Sequence, residues 1–216
     1  MTDFGPEDLI ACYRRGVFPM AESSAEGGLF LVDPEWRCVM PLDDFYVPRR
    51  LARTVRADRF EITIDREFSD VVRLCGESAP DRPETWINAD IRRLYQRLHE
   101  QGLAHSVEAR QDGRLVGGLY GVSLGGAFFG ESMFSRARDA SKVALVHLAA
   151  RLCAGGYGLL DAQFITEHLM QFGAVTLPRR AFREKLNAAL AREGDFFALP
   201  EGCSGAQALQ SIAQMS

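Results

Sequence analysis

Two short stretches carry side chains that could do chemistry, and each places a carboxylate near the end of an apolar run. In FFGESM, Glu131 follows the run that ends at Gly130 and precedes Met133 by two positions. Because side chains alternate along a strand, we expect Glu131 and Met133 on one face, where a cation and an apolar group could be bound side by side. The alternative is a solvated acid at a strand end, which is the commoner situation.

The second stretch is LLDAQ, in which Asp161 and Gln163 end an apolar run. Their spacing of two predicts a shared strand face, on which the carboxylate could orient the amide. Ligands of open sheets gather at strand ends, which favours a functional role. Asp161 could equally cap a helix or tether a loop, and the pair alone leaves both alternatives open.

Arginines are concentrated in a third stretch, YVPRRLARTVRADR at residues 46–59, which holds five of them and one acid. A helix that begins at Pro48 would bring Arg49, Arg53 and Arg56 onto one stripe at i, i+4 and i+7. Arginine is suited to bidentate phosphate contacts. The net charge of −4 argues against nucleic acid. A phosphate-binding stripe and an ordinary solvated face therefore both stay open.

The elements that position these residues follow from periodicity and turn residues. Helices are predicted over residues 6–15, 66–75, 88–102, 139–154, 166–172 and 179–192. Strands are predicted over residues 29–32 and 37–40, joined by a turn, over 60–64, as an antiparallel meander across 105–135, and over 158–162. Inside the meander, Gly117 and Gly118 predict close approach of another backbone or a ligand. This arrangement is typical of the α+β class.

Composition restricts the classes of function. The chain has 216 residues, 47% hydrophobic and 25% charged, and can form one large domain or a small domain and a larger one. No apolar run approaches the roughly 20 residues that span a bilayer, and the acidic start is unlike an export signal, so we expect a cytoplasmic protein. The five cysteines show no CxxC spacing, and P-loop, HExxH and GxSxG motifs are absent. The sequence therefore predicts no cofactor and no metal.

A series of motifs in fixed order, from about Leu9 to about Leu199, resembles the leucyl/phenylalanyl-tRNA protein transferase family. The motifs are RGVFPM, ETWIN, LHEQGLAHSVE, LVGGLYGV, FGESMFSRARDASKVAL, LLDAQF, HLMQFGA and LPRRAF. The resemblance implies a small N-terminal α/β domain over residues 1–62, which includes the basic helix. It also implies a larger C-terminal catalytic domain over residues 63–216 that resembles the N-acetyltransferase (GNAT-like) fold.

The resemblance also implies an activity. The chain would be a cytoplasmic bacterial enzyme of the N-degron pathway that moves leucine or phenylalanine from aminoacyl-tRNA to the α-amino group of proteins beginning with Arg or Lys. It would act as a monomer, without a cofactor and away from membranes. Glu131 and Asp161 match family acids that would hold the cationic N-terminal side chain and orient Gln163. Gln163 in turn matches the residue proposed to help the attacking amine lose its proton; because an amide is a poor base, it would mainly position that amine, and the terminal ribose of the tRNA could relay the proton.

Further roles come from the same resemblance. The residues at positions that line the pocket for the transferred side chain are Leu119, Phe128 and Met133. The residues at positions that contact the tRNA acceptor arm are Arg49, Arg53 and Arg56, and Trp86 would lie close to the terminal adenosine. Contacts with phosphates do not read the identity of the bases, which agrees with a family that recognises the donor tRNA largely independently of its base sequence.

The chain departs from the family pattern in two places. Phe18-Pro19-Met20 stands where many members have Phe-Pro-Trp, and FLVDP at residues 30–34 stands where they have paired tryptophans. Both changes remove aromatic surface near the expected pocket, so methionine or another apolar amino acid could be accepted.

Two other functions stay open. A small-molecule N-acyltransferase would use acyl-coenzyme A and would need a Gln/Arg-rich glycine turn before a helix, which residues 136–140 do not supply. A non-catalytic tRNA-binding module would explain the arginines but would leave Glu131, Asp161 and Gln163 without a role.

Overall fold

The structure is a computed structural model that describes residues 4–21, 29–77 and 85–215. The predicted loop over residues 76–84 lies mostly outside these ranges. In chain order the elements are α1 (Pro6–Arg14), β1 (Phe18–Ala21), β2 (Leu29–Val32), β3 (Trp36–Met40), α2 (Arg49–Arg56), β4 (Glu61–Ile64), α3 (Phe68–Cys75), α4 (Ala89–Glu100), β5 (Ala104–Gln111), β6 (Arg114–Leu124), β7 (Ala127–Ser135), α5 (Ala140–Ala154), β8 (Leu159–Gln163), α6 (Glu167–Met170), β9 (Val175–Pro178), α7 (Arg179–Leu190) and α8 (Gly205–Ala213).

Most of the described strands belong to one sheet, in the order β4-β5-β6-β7-β8-β3-β9. Neighbours in it are antiparallel except β7 and β8, which are parallel. Parallel neighbours require a crossover connection, and α5 supplies it. The predicted α+β class is confirmed, and the predicted meander is confirmed as β5, β6 and β7.

The predicted strands over residues 29–32 and 37–40 are confirmed as β2 and β3, but the two lie in different sheets. β2 pairs with β1 in a separate two-stranded sheet, whereas β3 lies between β8 and β9. The reason is burial, because residues 37–40 are all buried and only the interior of a covered sheet can bury both faces of a strand. Sequence reasoning also did not predict the short strands β1 and β9 or the helix α8.

Both faces of the large sheet are covered by helices, which creates two hydrophobic cores. The first core contains residues of α2, α5 and α8, and the second contains residues of α1, α3, α4 and α7. Successive sheet residues alternate between them, as Phe128 lies in the first core and Phe129 in the second. Within the described ranges, none of the helices combines the length and apolarity that crossing a bilayer requires.

Gly117 allows α5 to lie directly on β6. A Cβ atom at this position would lie 2.6 Å from the Cβ atom of Ala140 and 3.0 Å from the backbone nitrogen of Ser141. The close approach predicted for the Gly117-Gly118 pair is therefore confirmed, and the backbone that approaches Gly117 belongs to the first turn of α5.

The segment predicted as the N-terminal domain contributes to the large sheet. β3 lies inside that sheet, and β4, at its end, forms one margin. The domain boundary after residue 62 stays a prediction.

Candidate functional site

A cavity of about 730 Å³ opens where β7 and β8 part. Their parallel ladder runs from Ala127–Leu159 to Phe129–Asp161, and beyond it each strand continues without the other. The residues that follow on both strands line the cavity together with the start of α5 and α6. We call it the central cavity, defined by Leu119, Glu131, Met133, Leu145, Asp161 and Gln163.

One wall of the central cavity is apolar. Leu119 and Met133 are direct cross-strand partners on β6 and β7, and both line the cavity. Leu145 and Leu148 of α5 and Leu160 of β8 extend this wall. The wall can therefore bury an apolar side chain, at a gain of about 1.5–3 kcal/mol for one of leucine or phenylalanine size.

Glu131 enters the cavity through a β-bulge. The register passes from Tyr120–Ser132 to Gly121–Gly130, so Glu131 is the extra residue on β7. Its carboxylate contacts second-core tyrosines, whereas Met133 packs against the first core. The prediction that simple alternation places Glu131 and Met133 on one face is wrong, because the bulge interrupts the alternation. Both side chains nevertheless line the same cavity.

The partners of Glu131 are two phenols. Tyr13 Oη of α1 donates to Oε1 at 2.6 Å, and Tyr95 Oη of α4 donates to Oε2 at 2.7 Å. Burial raises the pKa of Glu131 to about 7, although the two phenol hydrogen bonds oppose the shift. Burial also raises the pKa of Tyr13 and of Tyr95 well above the ordinary value. Near neutral pH, Glu131 therefore has an adjustable charge and the phenols keep their protons.

Asp161 is held by an arginine that sequence reasoning missed. Arg37 Nε donates to Oδ1 at 2.8 Å and Nη2 donates to Oδ2 at 2.6 Å, and both side chains are almost fully buried. The guanidinium carbon lies 4.3 Å from the ring centre of Phe18 and 4.7 Å from that of Phe182. Arg37 already forms an ion pair with Asp161, so the expectation that Asp161 itself holds a substrate cation stays a prediction, with Arg37 as the cation that the structure places there.

A signal for Arg37 was present in the sequence. It lies within the strand WRCVM, next to apolar residues, and a buried arginine requires a carboxylate or carbonyl partner. What the sequence could not supply was the identity of that partner, which is 124 positions away.

Gln163 is oriented through its main chain. Its backbone nitrogen donates to Asp161 Oδ1 at 3.1 Å, and its φ of 55° lies in the left-handed region. The side-chain Nε2 is buried and has no hydrogen-bond partner among the described residues. The predicted pairing of Asp161 with Gln163 thus exists, but it uses the backbone and leaves the amide nitrogen for a ligand. A second buried nitrogen in this lining, His168 Nε2, also has no partner in the described part of the chain.

Two residues expected near the substrate do not line the central cavity. Phe128 belongs to the part of β7 that still pairs with β8, is fully buried, and stacks on Phe196 with ring centres 5.6 Å apart. Trp86 is partly buried and packs against the second core just before α4. The structure therefore brings together Leu119, Met133, Glu131, Asp161 and Gln163 but places these two elsewhere.

The arginine stripe is exposed and borders a second cavity of about 510 Å³. Arg49, Arg53 and Arg56 all lie on the exposed side of α2, as predicted. Of these three, Arg53 lines the second cavity, which we call the arginine cavity and define by Arg50, Arg53, Arg59 and Arg138. Arg50 Nη2 also lies 3.0 Å from Oδ1 of Asp139, the residue that precedes α5. Sequence reasoning missed Arg50, Arg59 and Arg138.

Metal ligation has no support in the described part of the chain, where no three His, Cys, Asp or Glu side chains form a group that could hold an ion. The cysteines in the described ranges are free thiols, and burial raises the pKa of Cys38, which is close to Asp161, to about 11.

Comparison with known proteins finds similarity to one family over nearly the whole chain. The sequence model described as leucyl/phenylalanyl-tRNA protein transferase matches residues 39–187, and the model of the N-terminal domain of that family matches residues 2–35. Three curated relatives carry the name leucyl/phenylalanyl-tRNA–protein transferase. The relative from Phenylobacterium zucineum is 62% identical, with 100% of both chains covered. That from Maricaulis maris is 60% identical, also with 100% of both covered. That from Caulobacter vibrioides is 59% identical, with 99% of this chain and 98% of the relative covered.

Proposed function

The chain belongs to the leucyl/phenylalanyl-tRNA protein transferase family, and we propose that its central cavity transfers leucine or phenylalanine from aminoacyl-tRNA to the α-amino group of proteins that begin with Arg or Lys. The observation that carries this proposal is the lining of one cavity by an apolar wall, a carboxylate and an amide. An aminoacyl donor and a cationic acceptor require those three kinds of group.

The apolar wall would bind the side chain of the donor amino acid. Leu119 and Met133 form its centre, and Leu145 and Leu148 widen it. Such a surface separates side chains that differ by one methylene by only about 1–3 kcal/mol. Leucine, phenylalanine and methionine would therefore all enter, with modest differences in rate.

Glu131 would meet the acceptor. Of the carboxylates that line the central cavity in the described residues, Glu77 pairs with Arg73 and Arg136, and Asp161 pairs with Arg37. Glu131 is bonded to phenols instead, so its charge is not compensated by an ion pair. The first residue of an acceptor that begins with Arg or Lys carries two cations, the α-ammonium and the side chain, and either suits this carboxylate.

Gln163 would bind the reacting ester. Its buried Nε2 lacks a partner in the described residues and can donate to the carbonyl oxygen, on which negative charge develops during attack. Asp161 holds the Gln163 backbone, and Arg37 keeps Asp161 in place. Because aminolysis of an ester is favourable, positioning by these groups suffices without a covalent intermediate.

The exposed arginines of α2 would bind the tRNA. Arg49, Arg53 and Arg56 face solvent, and Arg53 also lines the arginine cavity. Contacts of guanidinium groups with phosphates fix position without reading base sequence. Trp86 stays a proposed neighbour of the terminal adenosine and Phe128 a proposed pocket residue, although neither lines the central cavity here.

Family membership supports further parts of the same proposal. The chain would consist of a small N-terminal domain followed by a GNAT-like C-terminal domain over residues 63–216. It would act as a monomer in the cytoplasm, without a cofactor, and would serve the N-degron pathway.

The direct test is transfer of labelled leucine, phenylalanine and methionine from charged tRNA to peptides that differ only in an N-terminal Arg, Lys or Ala. We expect label on the Arg and Lys peptides alone. No transfer to any peptide while tRNA is still bound would contradict the proposal and favour a binding module.

A variant pair separates the two proposed sites. Asp161→Asn, with folding checked by thermal denaturation, should abolish transfer and leave tRNA affinity nearly unchanged. Replacing Arg49 and Arg53 together by alanine should weaken tRNA binding and reduce the salt slope of log K by about 1 to 2. An unchanged slope would remove these arginines from the tRNA contact.

A further inference from the structure

Three side chains meet at the central cavity and form a closed ring of short oxygen–oxygen contacts. Tyr13 Oη lies 2.6 Å from Glu131 Oε1, and Tyr95 Oη lies 2.7 Å from Glu131 Oε2. The two phenol oxygens lie 2.6 Å apart. We call this group the carboxyl–phenol ring. Contacts of this length are normal for hydrogen bonds between two oxygens, and each of them requires one hydrogen.

The number of hydrogens in the carboxyl–phenol ring depends on the charge of Glu131. Each phenol supplies one hydrogen, and an ionised carboxylate supplies none. With Glu131 ionised, two hydrogens serve three contacts, so one pair of oxygens is left with no hydrogen between them. With Glu131 protonated, the third hydrogen is present and all three contacts are hydrogen bonds. The ring is therefore complete only when it has taken up one proton.

We propose that the carboxyl–phenol ring is the proton acceptor for the attacking α-amine, with Glu131 receiving the proton and Tyr13 and Tyr95 positioning it. This inference rests on the proposed function and deepens it. It gives Glu131 the α-ammonium as its partner, whereas the family resemblance implies the cationic side chain of the acceptor.

The chemical step balances with these groups alone. An α-ammonium has no lone pair, so one N–H bond breaks and its proton passes to Glu131, where an O–H bond forms. The freed lone pair forms the new C–N bond at the ester carbonyl carbon. As the C–O bond to the tRNA ribose breaks, a second proton passes from the nitrogen to the departing oxygen. The ring then returns its proton to solvent through the open cavity.

The charges that face Glu131 come from two neighbouring strands. Asp161 on β8 raises the pKa of Glu131 and Arg37 on β3 lowers it, and burial, which also raises it, is the largest influence. The resulting pKa of about 7 lies within about one unit of an ordinary α-amino group, so a proton can pass between them at little cost.

The phenols face Glu131 from two helices. Tyr13 belongs to α1 and Tyr95 to α4, and Tyr120 of β6 packs against Tyr95 with ring centres 5.3 Å apart. Burial raises the pKa of both ring phenols, so they stay protonated and act as hydrogen donors throughout the working pH range.

The decisive measurement is kcat/KM for transfer to a peptide with N-terminal Arg between pH 6 and 9, for wild type and Glu131→Gln. Glutamine has nearly the same shape but cannot accept the proton. We expect a loss of about 100-fold or more at pH 6.5 that falls below about tenfold at pH 9, where the α-amine is neutral without help. The arginine side chain stays charged over this whole range. A loss that stays equal or grows as the pH rises, as Glu131 itself ionises, would therefore mean that Glu131 only binds that side chain, and would overturn the inference.

Tyrosine variants test the positioning roles. Tyr13→Phe and Tyr95→Phe each remove a phenol that stabilises the ionised carboxylate, so each should move the apparent pKa of the activity profile upward. Tyr157→Phe is the matched control, because it removes a buried phenol bonded to Ser123 Oγ at 2.6 Å outside the central cavity. Its profile should keep the wild-type pKa. Unshifted profiles for both Tyr13→Phe and Tyr95→Phe would overturn the positioning roles.

A measurement without substrate separates this inference from the proposed function. The infrared difference spectrum between wild type and Glu131→Gln should show the carbonyl band of a protonated carboxyl that disappears with a midpoint at about pH 7. A midpoint near that of an ordinary glutamate, 4.5, would overturn the inference. Because neither tRNA nor peptide is present, this result is independent of whether transfer occurs.

Discussion

The two acids of the central cavity, Asp161 and Glu131, are held in opposite ways. Asp161 makes two charge-assisted hydrogen bonds with Arg37, whereas Glu131 receives hydrogen bonds from neutral phenols. A guanidinium forms an ion pair with its carboxylate, whereas burial raises the pKa of the Glu131 carboxyl to about 7, close to the point where it gains or loses a proton at neutral pH. The kind of partner therefore separates an acid in a buried ion pair, which supports structure, from an acid with an adjustable charge, which can take part in proton transfer.

The largest expected effect on the free energy of unfolding comes from removing the Arg37–Asp161 ion pair. Arg37→Met leaves a buried carboxylate without its cation, so we expect the free energy of unfolding at pH 7 to fall by about 3–5 kcal/mol. Urea denaturation followed by circular dichroism measures it. The double variant Arg37→Met/Asp161→Leu removes the unpaired charge and should recover most of the loss. A double variant that is less stable than the single variant would contradict this account.

A smaller effect of opposite sign is expected at Glu131. Its pKa of about 7 in the fold lies above the ordinary 4.5, so the fold favours the protonated form. This stabilisation is complete below pH 4.5 and is lost as the pH rises through 7. Glu131→Gln has no such loss, so relative to wild type it should gain about 1–3 kcal/mol in unfolding free energy between pH 4.5 and 8. Urea denaturation at the two pH values measures the gain, and a pH-independent difference would contradict the burial of an adjustable charge.

The smallest effect is expected at an arginine–aspartate pair in an exposed setting. Arg50 is about half exposed and lies 3.0 Å from Asp139. Water already solvates Arg50, so Arg50→Ala should lower the unfolding free energy by about 1 kcal/mol or less. The same urea denaturation assay applies, and high salt should reduce the difference further. A loss as large as that of Arg37→Met would show that burial does not distinguish the two pairs.

Local patterns predicted the local structure well. Alternation and turn glycines predicted the meander, and the apolar periodicity of α5 with its glycine stop predicted that helix. The absence of a Cβ atom at Gly117 predicted the close approach that Ala140 makes. These features depend on residues within a few positions of one another, which the sequence displays directly.

Features that depend on distant residues or on one extra residue were not predicted. The place of β3 depends on strands that begin more than 100 positions later in the chain. The bulge at Glu131 adds one residue to β7 without any compositional sign. Phe128 was expected in the pocket, but it lies in the part of β7 that still pairs with β8. The point at which these two strands separate determines which residues reach the cavity, and that point depends on the assembled sheet.

The position of β3 also sets the order in which the protein can assemble. Its partners β8 and β9 end at Gln163 and Pro178, so a growing chain carries an unpaired β3 until more than three quarters of it has been synthesised. Sheet closure then requires contacts of long sequence separation, which form slowly. Until β8 has been added, Arg37 lacks its partner Asp161 and the cavity lacks the residues that β8 contributes. A chain that ends before β8 therefore lacks Asp161 and Gln163 and cannot form the central cavity described above.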